Sequence, residues 1–477
     1  MKKIKILIII FIILIIFLTL TLLIIKQNNK IVETDNNEEE YINQENYNLS
    51  EEEKKAFEMQ NEVPNVPKTQ LKKISSEENY FKIKSIIDSY FYECKNLQLN
   101  DSDIVLPRTG LNDINVKSYI EEQKKELEEL AQNALFKILG DKYIKEFGIT
   151  QTNINNKLGI NYSYKYVIDN ILVSKENDEV YTYIVNGILI NSKVSSYNNF
   201  KLIVVIDTLN TAYHIYPQEY LIKHNYNNLK EGDKLNLGVQ KIENNIFNKY
   251  QTQKYTDELM CNEYFSNLKN KIIYAPNSLY NALDSEYAKK RFENIEKFRS
   301  YINENKDFFL SLKFIGYKIV EIGTQKEYIC IDQYNNYYIF KRTGGLLDYS
   351  ILLDDYTIME GSEIITYSKL DESSKAQYNL MKFIKMVNHK DYEAVYDVLN
   401  KEFKNSNFKS INDLKRYITN NFYSINNIKL EKMEEKDNYY IFKCKISNYN
   451  NSKENKNINI IIGKTNNTNF EMSFSFE

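Results

Sequence analysis

The chain has 477 residues, with 62 Lys and Arg against 65 Asp and Glu and a net charge of −3. That balance leaves no basic footprint for nucleic acid. Four widely separated cysteines, Cys94, Cys261, Cys330 and Cys444, offer neither a CxxC motif nor metal-ligand spacing. Ile, Lys, Asn and Tyr are abundant and Trp is absent, a bias toward AT-rich codons, so the 40 tyrosines argue little for a sugar-stacking surface.

In chain order, the run from Ile6 to Ile25 is uncharged and interrupted only by Thr19 and Thr21. As a helix it would span about 30 Å, the depth of a bilayer's hydrocarbon core. Lys2, Lys3 and Lys5 precede it, and Lys26-Gln27-Asn28-Asn29-Lys30 follows in place of a small-residue cleavage site. The expectation is an uncleaved signal anchor over residues 1–26, holding the protein at the cell membrane in a single pass. The positive-inside rule puts the N-terminus in the cytoplasm and the bulk of the chain in an extracytoplasmic position. Residues 27–75 read as an acidic flexible tether, with Glu38, Glu39, Glu40, Glu51, Glu52 and Glu53 among few apolar residues.

Past the tether, Tyr80, Ile83, Ile87, Tyr90 and Phe91 fall on one helical face, and a second helix is expected from Ser118 to about Leu139. Strands are predicted over 164–173, 180–190, 200–207 and 212–217. Together these make a first unit at 76–225, followed by a linker at 226–254. A second unit, 255–362, has helices through Phe265 and Leu268, through Leu283 and Tyr287, and over 295–302. Its strands are expected over 314–322, 328–333, 337–341 and 349–358, with Gly344-Gly345 as a turn or bulge. A third unit, 375–477, has helices through Leu380 and Phe383, over 392–403 and over 411–418. Its strands are expected over 428–433, 439–446, 458–462 and 470–476, with the Asn-rich 448–457 as a hairpin loop. The last strand alternates Phe470, Met472, Phe474 and Phe476 with Glu471, Ser473 and Ser475, as a sheet wet on one face should.

Tyr280, Leu283, Tyr287, Phe292, Ile295, Phe298, Tyr301 and Ile302 recur at one offset (399 − 283 = 116) as Tyr396, Leu399, Phe403, Phe408, Ile411, Leu414, Tyr417 and Ile418. Matches of this kind mark a duplicated structural unit. Phe136, Leu139 and Tyr143 repeat the first three spacings as a weaker third copy.

The expected fold class is α+β: a single N-terminal transmembrane helix and three tandem rolls, each with helices packed on a curved antiparallel sheet. This order is similar to the nuclear transport factor 2-like superfamily, a cystatin-like α+β roll in which three helices close the concave side of a bent sheet. The repeated Tyr280–Ile302 string also resembles tandem extracytoplasmic domains of membrane-anchored proteins from low-GC Gram-positive bacteria, mostly of unknown function. The resemblance covers 76–225, 255–360 and 375–477 and rests on core positions, so it implies a fold and no chemistry. Scaffold subunits of conjugation and type IV secretion channels share the plan of one membrane helix and external domains of this kind, which in them bind partner proteins.

Such a cone can host an enzyme with an Asp and a His facing its pocket. The candidates here are Asp207 and His214, flanking the turn Leu209-Asn210-Thr211, with Tyr213 or Tyr216 nearby. Their separation allows a cross-strand pair for general acid–base catalysis. The plainer reading is a turn aspartate and an ordinary strand histidine. His224 and His389 have no partners by spacing, no cofactor is implied, and so few His and Cys imply no metal. The expected function is a membrane-tethered interaction or scaffold protein without catalytic activity, in a cell-envelope or secretion-type assembly. Its partners would be the membrane, through the Ile6–Ile25 helix, and envelope proteins; a homo-oligomer is left open. The alternatives are a small-ligand receptor with a cone-shaped apolar pocket and an extracytoplasmic dehydratase- or isomerase-like enzyme.

Overall fold

Helices followed by an antiparallel sheet recur three times along the chain. The computed structural model describes residues 69–106, 113–161, 163–175, 179–209, 212–238, 253–355, 359–360, 363–364, 367–464 and 470–477. The first roll opens with β1 (Lys72–Lys73), which pairs with β2. Ser76 then accepts the Asn79 N–H and caps α1 (Glu77–Asn96), with Glu77 and Glu78 placed where the helix dipole favours negative charge. Three helices follow, α2 (Asp113–Ile138), α3 (Asp141–Phe147) and α4 (Ile154–Leu158). The sheet β2 (Tyr164–Lys175), β3 (Val180–Asn191), β4 (Ser196–Asp207) and β5 (Ala212–Tyr216) is a meander, closed by α5 (Gln218–Lys223). Part of the expected linker packs back on this roll: Leu235 and Leu237 are buried, and Leu235 N–H donates to the Thr69 carbonyl at 2.9 Å.

The second roll contains α6 (Asp257–Tyr274), α7 (Pro276–Ala282), α8 (Ser285–Phe292), α9 (Ile295–Glu304) and α10 (Lys306–Ser311). Its sheet is β6 (Phe314–Ile322), β7 (Gln325–Asp332), β8 (Tyr337–Arg342) and β9 (Tyr349–Asp355). A two-stranded ribbon, β10 (Met359–Glu360) with β11 (Glu363–Ile364), comes next. The third roll has α11 (Glu372–Asn388), α12 (Tyr392–Val398), α13 (Lys401–Asn407) and α14 (Ile411–Asn421). Its sheet is β12 (Asn426–Glu435), β13 (Tyr439–Asn448), β14 (Asn451–Gly463) and β15 (Met472–Phe476).

One extra residue interrupts the first long strand of each roll's sheet: Asp169 in β2, Ile315 in β6 and Glu431 in β12. The last two stand at the repeat offset (431 − 315 = 116). A bulge bends its strand and raises the local twist, which curves the sheet around its helices.

The rolls stack so that each new set of helices lies against the sheet before it. Ala275, at the start of α7, is buried with Val167, Ile188 and Ile190 of the first sheet. A single apolar core runs through the first two rolls. The second sheet is buried on both faces, with Tyr328, Cys330, Tyr338 and Phe340 inward and Ile329, Tyr337 and Ile339 outward. On that outward side Lys385 of α11 sits over the Tyr337 ring at 3.8 Å. The third roll has its own core, with Phe442, Ile458, Ile460 and Phe474 at the centre. Its outer face differs: Tyr439, Lys443, Ile461 and Ser475 are exposed.

Three expectations need correction. The single-pass membrane fold is the first: among the described residues no helix is long and apolar enough to cross a membrane. The long helices α1 and α2 have the length, but the many charged residues along them make them amphipathic covers for a sheet. The Ile6–Ile25 run and most of the 27–75 tether lie outside the described residues, and no described helix supports the cell-membrane, signal-anchor and extracytoplasmic assignments. Second, 448–457 is not a loop; β14 starts at Asn451, and only Tyr449 and Asn450 turn the chain. Third, α2 starts at Asp113, before the expected Ser118, and a 3-10 turn at Asp101–Asp103 precedes it, held by Lys95–Asp103 and Lys124–Asp101 ion pairs at 3.0 and 2.9 Å.

Candidate functional site

Asp207 and His214 sit on the adjacent strands β4 and β5, which pair Val205 with His214 and Asp207 with Ala212. The two side chains therefore share a face, one diagonal step apart. Both are buried. His214 Nδ1 lies 3.0 Å from the Leu139 carbonyl. Burial, the largest influence, holds its pKa below the ordinary value, with the Leu139 carbonyl and Asp141 pulling the other way. Leu139 also bridges to Ile215, and Gly140 donates its N–H to the Ile215 carbonyl at 3.0 Å. His214 thus ties the last strand to the end of α2. Its ring is occupied by the joint between helix and sheet.

Gly140 permits this joint because a Cβ there would lie 2.2 Å from the Tyr216 ring. Gly345 has a comparable use where the first two rolls meet: a Cβ would come within 3.0 Å of the Ile74 carbonyl, to which Leu346 donates its N–H at 3.3 Å. A small polar crevice of about 190 Å³ opens beside it, lined by Lys73, Asp169 and Asp348. Across this junction Lys73 pairs with Asp348 at 2.7 Å, Arg342 with Glu77 at 2.6 Å, and Lys271 with Asp169. Among the described residues no group of three or more His, Cys, Asp or Glu is placed to hold a metal ion.

A cleft of about 370 Å³ opens where the second roll meets the third. Arg291, at the end of α8, forms its wall. Its Nε is 3.0 Å from Asp354 of β9 and 3.3 Å from Asp391, and its Nη2 donates to the His389 carbonyl at 3.1 Å. Asp391 at the same time caps α12 by accepting the Ala394 N–H at 3.1 Å. The Tyr287 hydroxyl donates to Asp354; burial first, then the Asp354 charge, push its pKa up, so it stays a phenol. His389 is fully enclosed between the rolls, edge-on to Phe308, and its pKa falls to about 3 through burial and the nearby Arg291 and Lys385 charges. These groups bind one another across the junction, while Lys290, Glu393 and Asp397 face the open cleft. The arrangement fixes a polar junction and offers a mixed-charge recess; it brings together no nucleophile with a base.

Residue spacing could not have found this cluster directly, because its members come from α8, β9 and the start of α12. One signal was available: the repeat is broken at these positions. Asp391 stands where the second roll has Ala275 (391 − 275 = 116), and Arg291 stands where the third has Asn407 (407 − 291 = 116). Comparisons of the chain with family models, curated proteins and solved structures found no match.

Proposed function

We propose that this chain is an interaction scaffold, built from three rolls of the nuclear transport factor 2-like kind and without catalytic activity of its own. The observation that carries this reading is the use made of the rolls' interiors. Where a receptor or enzyme of this class would keep a pocket, the concave sheet faces here are packed by helix side chains such as Tyr264, Phe265 and Phe383. His214, the strongest catalytic candidate, spends a ring nitrogen on a backbone carbonyl. What remains for recognition is the outer surface of a stack of modules. The test is site-specific photo-crosslinking of the full chain in its own cells, with probes on each roll. Reproducible capture of the same protein, unchanged in His214→Asn and lost on deletion of the third roll, is the expected result. Absence of any reproducible capture, or a turnover abolished in His214→Asn, overturns it.

A second reading, a small-ligand receptor, rests on the cleft of about 370 Å³ between the second and third rolls. Concave sites of this size between structural units are common ligand positions. A ligand bound there would raise the melting temperature of the full chain, and Asp397→Lys, on the cleft wall, would remove that rise.

A further inference from the structure

Cys261 and Cys330 are the only two cysteines that the fold brings together among the described residues. Cys261 lies in the second turn of α6 and Cys330 in the second half of β7, and α6 packs on that strand. Both are fully buried. The Cys330 thiol donates to the Cys261 carbonyl, with Sγ 3.5 Å from the oxygen. The third roll has no such pair. With the bulged strands aligned at the repeat offset (433 − 317 = 116), Phe442 stands where β7 has Cys330, because Tyr317 pairs with Cys330 and Met433 with Phe442. Cys444 and Cys94 are buried in apolar cores.

We propose that Cys261 and Cys330 form a disulfide that staples α6 to β7, a redox-controlled crosslink in the roll that holds the other two. The oxidant is a small-molecule disulfide of the glutathione type. One cysteine thiolate attacks it, forming a mixed disulfide and releasing one thiol. The second cysteine then attacks the protein sulfur of that mixed disulfide and releases the second thiol. Two protein thiols become one S–S bond, two protons leave, and the oxidant takes the two electrons as two thiols. Burial, with the neighbouring Cys261, holds the Cys330 pKa well up, so this thiol is inert while α6 is closed. Oxidation belongs to the chain as it folds, or to transient lifting of α6, and the closed helix then shields the bond from reductant. Because the crosslink closes a long loop, it restricts the unfolded chain and raises the melting temperature.

The experiment refolds the full chain in a buffer of oxidised and reduced glutathione, then titrates free thiols in denaturant and maps linked peptides by mass spectrometry. The expected result is loss of two of the four thiols, one peptide linking Cys261 to Cys330, and a melting temperature that drops by several degrees on reduction. Cys94→Ala and Cys444→Ala should leave that drop unchanged. Cys261→Ala should retain all its thiols and show no dependence on reductant. Four titratable thiols after refolding, or a bond that uses Cys94 or Cys444, overturns the proposal. Should Cys261→Ala fail to refold, Cys330→Val serves as the second variant with the same expectation.

Discussion

The backbone N–H of Asn400 donates to the Met472 carbonyl at 2.7 Å, and this bond fixes where the third sheet meets its helices. The same bond joins Asp284 to Ile351 and Gly140 to Ile215, each at 3.0 Å. In every case the residue before the donor is a buried leucine that bridges to the same strand: Leu399, Leu283 and Leu139. A leucine that fills this corner sets the angle between the helices and the last strand. Leu399→Ala should cost about 3 kcal/mol, the usual range for truncating a buried leucine. Chemical denaturation checks this, and a loss below about 0.5 kcal/mol would show that the corner is held by the backbone bond alone.

Arg291 is the staple of the polar junction. Removing its guanidinium in Arg291→Met takes away the charge that bridges Asp354 and Asp391, which strongly disfavours the closed junction. The junction should open more often, and amide exchange at Ala394, whose N–H the Asp391 carboxylate holds, should speed up at least tenfold, equivalent to about 1.4 kcal/mol. Arg291→Lys should fall between, because an ammonium cannot serve two carboxylates and a carbonyl in one plane. Hydrogen exchange read by mass spectrometry distinguishes the three proteins; equal exchange in all of them would remove Arg291 from this role.

Much of the fold was legible in periodicity, and the reasons for the exceptions are physical. The stripe Tyr80, Ile83, Ile87, Tyr90 and Phe91 is buried as its spacing implies, and strands β2 to β5 start and end within a few residues of the patterned runs. The alternation Met472, Phe474 against Ser473, Ser475 gives a sheet with one packed face. What periodicity hid were elements too short to show a period, such as α7 and α10, which bury one residue each, Leu279 and Phe309. It also hid β14, whose first half, Asn451 to Asn457, carries no apolar side chain and is held as strand by its pairing with β13. Asp207 and His214 were correctly placed either side of a turn, but the hydrogen bond from His214 to Leu139 spans 75 residues and has no local signature. Arg291, Asp354 and Asp391 likewise come from distant elements, and only the broken repeat at Arg291 and Asp391 marked them.

His389 makes stability depend on pH. Its folded pKa of about 3 lies below the ordinary value of 6.5, so the unfolded chain binds the proton more readily. The stability this group lends is complete above the unfolded pKa and is lost as pH falls from 6.5 toward 3. Moving from pH 7 to pH 5 should therefore cost about 2 kcal/mol through this residue, because each tenfold rise in proton concentration below the unfolded pKa costs about 1.4 kcal/mol. His389→Asn, which does not titrate, should lose that part of the slope and keep the rest. Denaturation midpoints at pH 5, 6 and 7 settle the point; parallel slopes in the two proteins would mean that His389 is hydrated in solution.

The two junctions are built from different materials, and they should come apart under different conditions. Between the first and second rolls the apolar core is continuous, and Ala275 lies fully buried against Val167, Ile188 and Ile190. Between the second and third the cores are separate, and the equivalent position, Asp391, is held by Arg291. Elements that share a core unfold together, whereas a polar interface couples its neighbours weakly. Calorimetry of the full chain should accordingly show two transitions, a smaller one for the third roll and a larger one for the first two rolls as a unit. Ala275→Asp supplies the decisive contrast. It gives the apolar junction the residue of the polar one but no arginine, so an unpaired carboxylate must be buried or the junction must open, at a cost above about 3 kcal/mol. The larger transition should drop or split while the third roll's stays in place. A single cooperative peak in the parent protein, shifted as a whole by Ala275→Asp, would show instead that the polar junction couples the rolls as tightly as a core does.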